Sequence, residues 1–124
     1  MKVILIVEDN DKNMKLARDI LQAKGYATLE AINGEAGLRM AKAELPDLVL
    51  MDIQLPGIDG IEAFRQLRGD PLTASIPIAA FTASVTPSDR SKVIEAGFDA
   101  FLSKPIDLKQ FVATIRSLVD EGPQ

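Results

Sequence analysis

A chain of 124 residues, 47% hydrophobic and 26% charged, has the size and balance of one globular domain with its own core. It contains neither cysteine nor histidine, so disulfides, zinc–thiolate sites, thiol catalysis and imidazole acid–base chemistry are excluded. A net charge of −4 with a pI near 4.8 argues against direct binding to nucleic acid.

The chain opens on the apolar run Val3–Val7, which reads as a first strand. Glu8-Asp9 interrupts that run too soon for a signal peptide, and no later stretch approaches the ~20 apolar residues of a membrane span. A cytoplasmic protein with no membrane contact is expected. Asn10 or Asp11 caps a first helix, whose Leu16, Ala17, Ile20 and Leu21 form one stripe and which stops at Gly25. Ala27–Ala31 is a mixed run suited to an edge strand. Asn33 caps a second helix that ends before Pro46.

Leu48–Met51 is apolar throughout, as a strand covered on both faces would be. Asp59 with Glu62 three residues on reads as a capping box for a third helix. Ile76–Phe81 is the fourth strand. Thr86-Pro87 then opens a fourth helix that ends at Gly97. The short run Ala100–Leu102 makes a fifth strand. A last helix from Asp107 carries Leu108, Phe111, Val112, Ile115, Leu118 and Val119 on one face.

Strands alternating with helices predict an α/β fold: a doubly wound, five-stranded parallel sheet in three layers. Residues 1–121 form the domain and 122–124 a short tail. In such sheets ligands bind beyond the carboxyl ends of the strands.

Those ends carry the polar residues. The first strand ends in Glu8-Asp9, the third in Asp52 and the fourth in Thr82, and Lys104 follows the fifth. Adjacent first and third strands would converge three carboxylates on one pocket, where their repulsion calls for a cation. Oxygen ligands without His or Cys select a hard ion such as magnesium. Lys104 and a Thr82 hydroxyl would complete a cradle for a phosphoryl group, with an aspartate carboxylate as nucleophile. Each residue also has a simpler explanation: Glu8 and Asp9 as helix-capping acids, Asp52 as a turn residue, Thr82 as a strand end, Lys104 as a solvated loop charge.

Val7-Glu8-Asp9-Asn10, Leu50-Met51-Asp52-Ile53-Gln54-Leu55-Pro56, Thr82-Ala83 and Ser103-Lys104-Pro105 together resemble the receiver domain of two-component response regulators. The resemblance covers roughly residues 2–121 and implies the CheY-like, flavodoxin-type strand order 2-1-3-4-5. Within the family the chain is similar to single-domain regulators of the DivK type, from which Ser84-Val85-Thr86-Pro87 departs.

The resemblance implies roles. Asp52 would accept the phosphoryl group from a histidine kinase or histidine phosphotransferase. Asp9 and Asp52 would bind Mg2+, Glu8 largely through water, and Gln54 through its backbone carbonyl. Lys104 and Thr82 would hold the phosphate, while small Ala83 leaves it accessible. Gln54 and Ser84 would tune its hydrolysis. Phe101 would change rotamer with Thr82, or simply fill the core. Pro105 would follow a cis peptide bond. A downstream protein would dock on the fourth helix, fifth strand and fifth helix, with the chain a monomer or a phosphorylation-dependent dimer. Output would pass to another protein, since no second domain follows Gln124.

Three other functions compete. A phosphohydrolase of the haloacid-dehalogenase type needs an acid where Gln54 stands. A nucleotide or flavin binder needs a Gly-rich phosphate loop or an aromatic platform, and neither is found. A degenerate receiver acting as an adaptor would lack an acid or the lysine.

Overall fold

The computed structural model describes residues 1–83 and 86–121. Ser84, Val85 and the expected tail at 122–124 lie outside the described residues. The elements run β1 (Val3–Val7), α1 (Asp11–Ala23), β2 (Ala27–Ala31), α2 (Gly34–Glu44), β3 (Leu48–Asp52), α3 (Gly60–Gly69), β4 (Ile78–Thr82), α4 (Pro87–Ala96), β5 (Ala100–Ser103) and α5 (Leu108–Arg116). All strand pairs are parallel, in the order β2-β1-β3-β4-β5. No helix among the described residues is long and apolar enough to cross a membrane.

The sheet has helices on both faces because its central strands are apolar on both. Ile4 and Ile6 pack with Leu48, Leu50, Phe81, Phe111 and Ile115 on the α1 and α5 side. Leu5 and Val7 pack with Val49, Met51, Ala63, Phe64 and Ile78 on the α2 and α3 side. Burying each of the larger of these side chains (Val, Leu, Ile, Met or Phe) contributes about 1.5–3 kcal/mol. The edge strand β2 is only partly buried, as its mixed composition predicts.

Helix starts follow the caps. Asn10, Asn33, Asp59 and Asp107 each accept the backbone N–H three residues ahead. The capping box at Asp59 is only half formed: the Glu62 carboxylate turns outward to Arg65 and Gln66 instead of reaching back.

Strand bounds shift where backbone chemistry decides. β4 begins at Ile78, not Ile76, because Ile76 N–H is spent on Thr73 O and Pro77 has no N–H to offer. β3 extends through Asp52, which pairs with Phe81. Two leucines assigned to core stripes are exposed: Leu16 at 47% and Leu108 at 56%. Neither is covered by a neighbouring element, and Met14 takes the core position in α1. Beyond Arg116 the chain continues as a π-helical turn, Ser117–Glu121. That turn keeps Val119 buried and lets Tyr26 Oη donate to Asp120 Oδ2 at 2.8 Å.

Candidate functional site

Register decides what meets at the carboxyl edge. Val7 pairs with Met51, so Glu8 stands level with Asp52, and Asp52 pairs with Phe81. Thr82 pairs with Ser103, which places Lys104 one step beyond β5. Pleat alternation keeps Asp52 on the same side as Leu50 and Phe81. The three acids therefore gather where the winding of the sheet reverses, and oxygens of Glu8, Asp9 and Asp52 lie within 4.8 Å of one another.

Two of these acids are buried, Glu8 at 1% exposure and Asp52 at 3%, while Asp9 is exposed at the mouth. Asp52 Oδ1 accepts the Gln54 N–H at 3.0 Å, and Oδ2 accepts from Lys104 Nζ at 3.1 Å. Glu8 Oε2 accepts the Asn10 N–H at 3.1 Å. Lys104 Nζ also lies 2.6 Å from Glu8 Oε1, but off the direction of a hydrogen bond. That oxygen is thus buried without a hydrogen bond among the described residues. Burial, against the downward pull of Lys104 and the Asn10 N–H and with the help of neighbouring Asp52, pushes the Glu8 carboxyl up to about 7. Three acids sharing one pocket with a single ammonium suit a hard divalent cation.

The remaining candidates surround this centre. Thr82 is buried at the end of β4, and its carbonyl accepts the Lys104 N–H at 2.9 Å. Ala83 beside it is exposed. Phe101 pairs with Ala80, which puts it on the Thr82 side of the sheet. It is half-buried, with the Arg90 guanidinium 5.2 Å over its ring. The Lys104–Pro105 peptide is cis, as the resemblance implies.

Two contributors escape a reading of motifs. Phe81 presents its ring face 4.8 Å from Lys104 Nζ, which steadies the ammonium. Gly60 opens α3 directly against the Asp52 carbonyl, where a Cβ would overlap that oxygen and stand 2.7 Å from Ile53 Cα. Its place immediately after the cap Asp59 was the available signal, and a glycine there reads only as turn chemistry.

The parallel sheet in this order, with an acidic triad and a lysine at its switch point, defines a response regulator receiver domain. The chain belongs to that family, whose sequence pattern residues 4–116 match. It is 42% identical to the polar-differentiation response regulator DivK of Brucella anthropi over 121 residues, 98% of each chain. Among solved structures, a putative response regulator from Chloroflexus aurantiacus is similar at 32% identity and a TM-score of 0.91, covering 96% of this chain and 98% of that one. The receiver domain of a Pseudomonas aeruginosa sensor histidine kinase is similar at 30% identity and a TM-score of 0.89, with the same coverage. Its structure has a magnesium ion coordinated in the active-site cleft. The chain is thus a DivK-like member of two-component signalling.

Proposed function

We propose that this protein is a phospho-accepting switch, a signalling protein whose chemistry is the gain and loss of its own phosphoryl group. Asp52 takes that group from a phosphohistidine on a histidine kinase or histidine phosphotransferase. The reading rests on one observation: the acids Glu8, Asp9 and Asp52 share a pocket within 4.8 Å, with Lys104 3.1 Å from Asp52 Oδ2.

Glu8, Asp9, Asp52 and the Gln54 carbonyl would hold Mg2+, which when bound neutralises charge on the transferring oxygens. In the transfer, an Asp52 carboxylate oxygen forms a bond to phosphorus as the donor N–P bond breaks, leaving an acyl phosphate and a neutral imidazole after proton uptake. Gln54 N–H and Lys104 already hold the two Asp52 oxygens, so the nucleophile is oriented before the donor arrives.

The product adds about two negative charges and three acceptor oxygens. Lys104 follows that charge, and the Thr82 hydroxyl turns toward it. Phe101, diagonal to Thr82 on the same side of the sheet, moves into the space vacated and shifts the surface of α4, β5 and α5 between two states. Small Ala83 leaves the phosphate open to water and Pro105 holds the lysine loop, while Gln54 tunes hydrolysis. The downstream protein reads the α4–β5–α5 face.

Incubation with a small acyl-phosphate donor tests the reading. Phosphate uptake that requires Mg2+ and stops with a chelator is expected; equal uptake with the chelator present contradicts the metal's part.

A further inference from the structure

The loop from β3 to α3, residues 53–59, is gripped by the first turn of α2. A Cβ at buried Gly34 would stand 2.6 Å from Ile58 Cγ1 and 3.0 Å from the Ile58 carbonyl oxygen. The neighbouring Glu35 lies against the loop's turn: a Cβ at Gly57, where φ is +75°, would stand 2.7 Å from a Glu35 carboxylate oxygen. Three residues along the helix, a Cβ at Gly37 would stand 2.9 Å from Val7 Cγ2. Val7 immediately precedes Glu8, and the loop immediately follows Asp52. One helical turn, itself capped by Asn33, thus touches the two chain segments that deliver the acids.

We propose that this turn of α2 is the positioning element of the acidic pocket. Gly34 and Ile58 form the contact that sets the β3–α3 loop, and with it the Asp52–Gln54 half, against the Glu8–Asp9 half. Both residues act through backbone placement, because close-packed atoms transmit a displacement instead of absorbing it. The inference rests on the reading that the pocket binds Mg2+ and accepts phosphate.

Calorimetric titration with Mg2+ tests it, alongside the rate of phosphate uptake and the melting temperature. Gly34→Ala pushes Ile58 and its loop outward, and Mg2+ affinity falls about tenfold. Ile58→Ala removes the seat and weakens Mg2+ binding, and because Ile58 also packs against the core on that side of the sheet, its melting temperature falls as well. The double variant Gly34→Ala/Ile58→Ala gives the new methyl room, so it recovers most of the affinity lost in Gly34→Ala. Ile115→Val, in the core across the sheet, lowers the melting temperature while binding Mg2+ like the wild type.

Wild-type affinity in Gly34→Ala, or losses that simply add in the double variant, overturn the proposal. Should Gly34→Ala not fold, wild-type affinity in Ile58→Ala overturns it equally. A wild-type protein that binds no Mg2+ would instead defeat the functional reading itself.

Discussion

Lys104 and Asp52, 52 positions apart in the chain, meet at 3.1 Å between Nζ and Oδ2. The same ammonium lies 2.6 Å from Glu8 Oε1, so one cation stands between two buried carboxyl groups and can balance only one negative charge.

Removing that ammonium has opposite effects on fold and metal. Lys104→Ala leaves Glu8 and Asp52 facing each other, which costs roughly 3 kcal/mol in the metal-free protein. It also removes a competing cation, so Mg2+ binds at least as tightly as in the wild type, while phosphorylation no longer strengthens partner binding. Urea unfolding and Mg2+ titration check the first two. Unchanged stability with weaker Mg2+ binding would contradict this account of the lysine.

The Glu8 carboxyl, pushed up to about 7 by burial, makes stability depend on pH. Its folded pKa lies above the ordinary 4.5, so the folded state holds the proton more tightly. Its contribution is full below pH 4.5 and is lost as pH rises through 7, with a magnitude of about 3 kcal/mol. In metal-free protein, the wild type should therefore lose stability relative to Glu8→Gln between those values. Mg2+ added at pH 8 should restore it. Parallel stability curves for the two proteins would mean that Glu8 titrates normally.

Gly60→Ala forces a methyl into the Asp52 carbonyl oxygen and against Ile53 Cα, backbone on both sides. Nothing flexible can yield. A loss of about 2–3 kcal/mol is expected, together with slower phosphate uptake in the fraction that folds. Thermal melting and uptake rates decide, and a neutral substitution would show that the loop yields.

Leu45 caps α2 in the left-handed region, with φ 47° and ψ 62°, and its side chain is 52% exposed. The conformation costs a non-glycine residue about 1–2 kcal/mol, and the exposed side chain returns little. Leu45→Gly should raise stability by roughly 0.5–1 kcal/mol, the difference being glycine's greater freedom when unfolded. A lowered melting temperature would mean that Leu45 packs more than its exposure indicates.

Most of the architecture was legible because the central strands are apolar on both faces and end abruptly in polar residues. Glu8, Asp52 and Lys104 stood out for that reason, and strand order then brought them together. Register was not legible. Nothing in the run Leu48–Met51 says that Asp52 stands level with Glu8 and pairs with Phe81. Periodicity assigned Leu16 and Leu108 to inward faces, but it cannot tell whether another element covers them. Gly34 and Gly60 were silent for a related reason. Their function lies in the missing side chain, and what that space admits is visible only in three dimensions.

The central claim is that Asp52 is the phosphate acceptor, and intact mass after incubation with an acyl-phosphate donor and Mg2+ tests it most directly. The wild type should gain the mass of one phosphoryl group and Asp52→Asn none. An unchanged wild-type mass, or an equal gain in Asp52→Asn, would contradict it.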